Sequence, residues 1–296
     1  MVAFVTGPRR HGPEIRWTVL QNSTTLGQMS EKTVGTVAGQ YGQRGLGERI
    51  MSAVRQAFPK GASSDDLGDF DHFHPGGRAA TEALAAAADL ARGSTVLDVG
   101  AGLGGPGRWL ATHVDCRVTC LDITPEYCEA AEALTKFTGL ESLVQVRQGD
   151  ALHTPFDDQA FDLVWAQNAF MNIEDKSGLF KEMRRLIKPG GKVAFMEVMA
   201  GPVAEPLYFP LPWADRPELS FLEQPDNYRK KIEAAGLKVL LWEDMGPWLS
   251  SISGKPDSSG LEWDIYVDDL SVKAPNSARS RKEGRVVQWR AVCTRP

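Results

Sequence analysis

The sequence predicts an α/β fold, a parallel sheet covered by helices on both faces. Two observations predict it. Strand-like and helix-like segments alternate from about residue 94 to 200, the pattern of βαβ units. Within that run VLDVGAGLGGPGRWL, residues 96–110, passes from a buried strand through a glycine-rich turn into a helix. Length agrees with this: 296 residues, 42% apolar and 24% charged, can bury one large core.

The elements follow in order. Residues 1–33 show no periodicity and are expected to be a loose extension, with residues 34–296 as one domain. LGERIMSAVRQAFP places Leu46, Ile50, Val54 and Phe58 four apart, which predicts an amphipathic helix. GASSDDLGD is a loop, and GGRAATEALAAAADLARG is an alanine-rich helix closed by Gly93. VLDVG is a strand, and Pro106 suits the first turn of the helix after it. RVTCLDI is the second strand; Thr124, Pro125 and Glu126 then supply an N-cap, a first-turn proline and an acidic residue at the positive helix end. LVQVRQGD and FDLVWAQ are strands three and four. SGLFKEMRRLI is a helix stopped by Lys188, Pro189, Gly190 and Gly191, and KVAFMEVM is the fifth strand. Residues 201–224, rich in proline and aromatic residues, break the rhythm and predict a lid or pocket insert. NYRKKIEAAGLKVLLWED resumes as helix and strand, residues 245–284 are expected to be irregular, and GRVVQWRAVCTRP is a final strand.

Composition narrows the partners. With 33 basic and 38 acidic residues the net charge is −5, so no global field favours nucleic acid or an anionic membrane. No apolar run approaches the roughly 20 residues of a membrane span. Arg9 and Arg10 are followed by a polar stretch and not by a signal's apolar one, so a cytosolic protein is expected. Cys116, Cys120 and Cys128 lie close together but lack a C-x-x-C pair or a flanking histidine; with Cys293 they are expected to be buried thiols, and no metal is expected.

On a parallel sheet the ligand lies outside the carboxyl ends of the strands. Gly100, Gly102 and Gly105 fit the G-x-G-x-x-G spacing of a dinucleotide site, while Gly100, Gly102 and Gly104 fit the G-x-G-x-G spacing of an S-adenosylmethionine (SAM) site. Asp122 ends the second strand, where a carboxylate accepts ribose hydroxyls under either alternative. Asp150, ending the third strand in QGDA, suits an adenine edge, and Asp98 is expected to hold the glycine turn by accepting its amides.

Taken together, VLDVGAGLGG, LDIT, QGDA, FDLVWAQNAFMNI and LIKPGGKVAFMEV resemble the class I SAM-dependent methyltransferases. The resemblance runs from about residue 75 to 200, with a looser tail. It implies a Rossmann-like sheet of seven strands whose last strand inserts antiparallel, a role that GRVVQWRAVCTRP fits. YGQRGLGERIM followed by FDHFHPGGRAATEAL is similar to small-molecule methyltransferases of the sarcosine/dimethylglycine and phosphoethanolamine type. That likeness implies Tyr41, Gly76 and Gly77 at the SAM site and Gln167 near its amino-acid end, beside Gly100, Gly102, Asp122, Ile123, Asp150 and Ala151. Where the phosphoethanolamine enzymes carry a catalytic histidine, this chain has Asn172, which departs from a tyrosine–histidine pair.

His72 and His74 flank Phe73, and alternate residues of an extended segment share a face. Both are therefore expected to look into one pocket, where a neutral imidazole takes a proton from an ammonium group, or else to fix the segment by hydrogen bonds. His74, nearer the glycine pair, is the better candidate and joins Tyr41 as a catalytic residue. Phe170, Asn172 and Trp213 are expected at the substrate wall, where aromatic faces favour a cationic group. Trp165 is assigned to strand packing, Glu197 either to the acceptor's charge or to a buried hydrogen-bonded role, and Arg279, Arg281, Lys282 and Arg285 to a solvated turn.

The expected function is SAM-dependent methylation of nitrogen on a small polar, amino-acid-like acceptor. Alternatives are a thioether sulfur such as that of methionine, or carbon of a quinol or sterol. A SAM-binding protein without turnover and an NAD-dependent oxidoreductase are more distant. A homodimer is the oligomer considered.

Overall fold

The structure, a computed structural model, describes residues 37–203, 205–252 and 259–296; the expectation for residues 1–33 lies outside them. Seven strands form one sheet: β1 (Thr95–Val99), β2 (Arg117–Asp122), β3 (Val144–Gln148), β4 (Phe161–Gln167), β5 (Ile187–Ala200), β6 (Lys238–Asp244) and β7 (Val286–Thr294). Their order is β3-β2-β1-β4-β5-β7-β6. The first five pair in parallel, and β7 inserts antiparallel to both β5 and β6, as the resemblance implies. The chain runs outward from β1 to β3 and then returns to β4 beside β1. That reversal opens a crevice above the carboxyl ends of β1 and β4.

Besides the helical residues 37–41, the helices among the described residues are α1 (Leu46–Ala57), α2 (Gly77–Ala88), α3 (Gly105–His113), α4 (Pro125–Phe137), α5 (Lys176–Leu186), α6 (Pro225–Ala234), α7 (Gly246–Ser251) and α8 (Leu270–Lys282). Alternate strand residues serve opposite layers, as period-two geometry requires. Val96 and Trp165 pack under α2 and α3 with Leu84 and Leu110, while Leu97 and Val164 pack under α5 and α6 with Phe180 and Tyr228. Trp165 is thus a packing residue, as expected. In α1 the predicted stripe of Leu46, Ile50 and Val54 is fully buried against Tyr127 and Leu134 of α4. The four cysteines are buried.

Two boundaries differ from expectation. Lys188–Gly191 do not separate helix from strand; α5 ends at Leu186 and these residues lie within β5, where the pairing with β4 shifts from Phe161↔Ile187 to Leu163↔Lys192. Residues 245–284 are not all irregular, since they contain α7 and α8. Helix α8 carries Pro275 inside it and buries Lys273, Ser277 and Ser280, so it has neither an uninterrupted helix sequence nor an apolar stripe to announce it.

Candidate active site

A cavity of about 360 Å³ lies above the carboxyl ends of the strands and extends under the 201–224 insert and α8. Its first half is built from strand ends. The turn after β1 is held by Gly100 N–H and Ala101 N–H, which both donate to Leu121 O at 2.8 and 3.1 Å. Gly100 has φ +70°, and a Cβ there would sit 2.3 Å from the Ala169 Cβ, so only glycine fits this crossing of two turns. Asp122 at the end of β2 accepts Gly102 N–H at 2.8 Å and Thr124 N–H at 2.9 Å. Ile123 lines the cavity beside it, and Asp150 and Ala151 line it beyond β3. Asp150 accepts Leu152 N–H at 2.9 Å through one oxygen and stands 3.3 Å from His153 Nδ1 through the other.

Asp122, and not Asp98, therefore holds the glycine turn. Asp98 lines the cavity, and its Oδ2 has no partner among the described residues. Burial, aided by the Asp122 charge and opposed by Arg108, pushes its pKa up to about 7. Beneath the turn a buried ion pair that sequence analysis missed, Asp71 with Arg108 at 2.7 Å, also fixes Leu103 O through the same guanidinium nitrogen. Its only sequence trace is an aspartate in FDHFHP and an arginine in GPGRWL.

The two histidines separate. His72 Nδ1 lies 3.0 Å from Thr81 Oγ1, which donates to Gln167 Oε1 at 2.9 Å, so His72 sits in a network behind the wall. His74 lines the cavity, and neither of its ring nitrogens has a partner among the described residues. Burial and the neighbouring His72 lower its pKa to about 3. So weak a base stays neutral at physiological pH and offers hydrogen bonds, and an ammonium proton moves onto it only uphill. Gln167 also accepts Trp165 Nε1–H at 3.2 Å, leaving its own amide nitrogen without a partner among the described residues at the cavity wall.

Gly76 lines the cavity, but Gly77 does not; Gly77 meets Asp69, whose carboxylate accepts Arg78 N–H at 2.7 Å at the start of α2. Phe170 is also displaced from the substrate wall. It opens a one-turn 3₁₀ segment, Phe170–Asn172, that turns its ring into the core, 5.2 Å from Phe195 and 5.9 Å from Phe180. Met171 and Asn172 face the cavity in its place. Glu197 accepts Ala169, Phe170 and Val198 N–H at 3.1, 2.7 and 3.1 Å, which is the buried hydrogen-bonded role.

The second half of the cavity is closed by segments remote in sequence. Tyr41 OH donates to Asn172 Oδ1 at 2.9 Å and lies 3.2 Å from Trp213 O. Asn172 Nδ2 donates to Trp213 O and Leu219 O, both at 2.8 Å. Burial raises the Tyr41 pKa far above its ordinary value, so the phenol keeps its proton. The Tyr208 ring in the insert packs against Arg279 and Arg285, with guanidinium carbons 3.8 and 4.7 Å from the centroid. The basic cluster is no solvated turn. Three of its members end α8, and Arg281 lines the cavity.

A glycine turn after β1, carboxylates ending β2 and β3, the reversal at β1/β4 and the antiparallel β7 together give the Rossmann-like sheet that the resemblance to class I SAM-dependent methyltransferases implies. Residues 97–195 match the family described as a methyltransferase domain. Over 166 residues the chain is 36% identical to a glycine/sarcosine/dimethylglycine N-methyltransferase of Actinopolyspora halophila, covering 56% of this chain and 29% of that protein. It is 32% identical to the sarcosine/dimethylglycine N-methyltransferase of Halorhodospira halochloris, covering 51% and 54% of the two chains. A geranyl diphosphate C-methyltransferase from Streptomyces coelicolor, solved with S-adenosylhomocysteine, superposes with a TM-score of 0.65 at 16% identity over 91% of this chain and all of that one. This last likeness is one of fold. The chain spans 29% and 54% of the length of the two curated relatives. It carries a methyltransferase domain of the class I SAM-dependent group, as its sequence resemblance implies.

Proposed function

We propose that the chain transfers the methyl group of SAM to a small-molecule acceptor, with an amine nitrogen of an amino-acid-like metabolite as the receiving atom. The observation that carries this reading is the continuity of one cavity, from Asp122 and Asp150 to the Tyr41–Asn172–Trp213 cluster. Asp122, Ile123, Asp150 and Ala151 would hold the nucleoside, beside Gly100 and Gly102. Gly76, Gln167 and His74 would face the amino-acid end. When bound, SAM supplies a methyl already activated on a positive sulfonium. The residues here then mainly align the acceptor, and orientation alone supplies up to roughly 7–11 kcal/mol in ideal cases. Tyr41 and Asn172 would stand at the transfer point. The names of the curated relatives support nitrogen. With His74 held neutral, an amine would arrive unprotonated or lose its proton to water, so kcat/KM would rise with pH.

One observation favours a second reading. Beyond Asn172 the wall is built of Met171, Val198, Pro212, Leu270 and Ala274, which suits an acceptor with an apolar body and carbon as the receiving atom.

The experiment incubates the protein with SAM and sarcosine, dimethylglycine, methionine or geranyl diphosphate, and follows S-adenosylhomocysteine. SAM and S-adenosylhomocysteine should raise Tm, and NAD should not. Turnover with an amine supports the first reading, and faster turnover with geranyl diphosphate the second. Stabilisation by SAM without turnover of any acceptor would make the protein a binder, and stabilisation by NAD alone would overturn both readings.

A further inference from the structure

Helix α8 presents Leu270, Ala274, Ser277 and Arg281 to the cavity, at steps of four, three and four residues. These steps keep to one helix face, and at 1.5 Å per residue they span about 16 Å. The first turn of the helix adjoins Trp263 and Tyr266, whose rings pack against Phe73 at 5.1 and 5.9 Å, next to His74. Its last turn ends beside the β5–β7 pair, where Gly201 N–H donates to Arg285 O at 2.9 Å and Val203 N–H to Gly284 O at 3.1 Å. The stripe therefore runs from the donor side of the cavity to its far end.

Charge along this path is uneven. The carboxylates of the cavity wall, Asp71, Asp98, Asp122 and Asp150, all belong to the donor side, and Arg281 is the one arginine or lysine among the described lining residues. The acidic groups near α8 are engaged elsewhere. Glu283 pairs with Arg279 at 2.8 Å and with Arg285 at 2.7 Å and accepts Tyr208 OH, and Asp215 pairs with Lys273 at 2.9 Å. No described side chain or carbonyl forms an ion pair or hydrogen bond with the Arg281 guanidinium, and burial alone acts on its charge, in the unfavourable direction. A half-buried guanidinium with five donors and no carboxylate partner among the described residues suits an anion from outside.

We infer that Arg281 anchors an anionic group, a carboxylate or phosphate, at the end of an acceptor whose apolar body lies along Leu270 and Ala274. The inference rests on the proposed function and narrows its acceptor to an anionic amphiphile. Ser277, one turn before Arg281, places a hydroxyl beside the anion's path. Arg281 is a specificity-determining residue in this scheme, and the donor's contacts do not involve it.

The test uses calorimetry on the full chain loaded with S-adenosylhomocysteine, with octanoate, octyl phosphate and 1-octanol as probes. At least one anion should bind about tenfold or more tightly than the alcohol, as expected for a charge-assisted hydrogen bond. Which anion is preferred separates carboxylate from phosphate. Arg281→Gln should remove most of that preference and Arg281→Lys should retain part of it, while both variants bind S-adenosylhomocysteine as the wild type does. Equal preference in wild type and Arg281→Gln would overturn the inference, as would failure of both anions to bind more tightly than the alcohol. Failure of the wild type to bind S-adenosylhomocysteine would instead overturn the proposed function.

Discussion

Asp122 ties together two turns that the chain makes about twenty residues apart, one amide of each ending on its carboxylate. Truncating it therefore does more than remove the ribose contact proposed for it. In Asp122→Ala both Gly102 N–H and Thr124 N–H lose their acceptor, a cost of about 1–3 kcal/mol for a buried group left unpaired. Tm should fall, and SAM affinity should drop about tenfold or more. A variant with unchanged Tm and unchanged affinity by calorimetry would show that the carboxylate does neither job. His74 makes the opposite point. If it only lends hydrogen bonds, His74→Asn should keep a kcat/KM that rises with pH, whereas a proton acceptor would lose rate chiefly near neutrality. Gly100, Gly102, Asp122 and Asp150 were legible in the sequence because strand ends fix where such residues lie. Gly77 and Phe170 were not, because local dihedral angles decide which way each faces, and His72 took the hydrogen-bonded role of the two that the sequence left open.

At the scale of elements, the Phe170–Asn172 turn joins the helical residues 37–41 to the 201–224 insert. Asn172 accepts from one and donates twice to the other. Asn172→Ala should lower Tm and raise the acceptor's KM severalfold, with little change in the Kd of SAM. An equal loss of both affinities would place Asn172 with the donor instead. The insert could be recognised from sequence because proline and aromatic residues interrupted a regular alternation. Helix α8 could not, since its cavity-facing stripe mixes Leu270 and Arg281 with the small Ala274 and Ser277 around Pro275 and lacks the periodic apolar pattern that marks α1.

For the whole molecule, burial of His72 and His74 couples folding to acid. Both have pKa values of about 3 in the folded chain against an ordinary 6.5. As pH falls below 6.5 the unfolded chain takes up these protons first, so stability present above 6.5 is lost progressively toward pH 3. Asp98, raised to about 7, acts with the opposite sign, since its contribution is present below its ordinary value and lost as pH rises through 7. It is common to wild type and variant, so it cancels when the two are compared. Urea midpoints between pH 7 and pH 4 should therefore fall less steeply for His74→Asn than for wild type; parallel slopes would mean that His74 is not a buried neutral base. The sheet itself was readable from the alternation of its parts. The buried Asp71–Arg108 pair was not, because its members are 37 residues apart and nothing in either segment marks the other.

The division of labour around the cavity also bears on how such a protein changes over generations. In the proposed function strand ends hold one molecule, while an insert and a late helix shape the space for the other, and neither of these two segments carries a strand of the sheet. Substitutions in residues 201–224 or along α8 can accumulate without disturbing the first grip. A lineage could thus exchange one acceptor for another through drift in these two segments alone, and a chimera that swaps only those segments would reproduce the exchange in a single step.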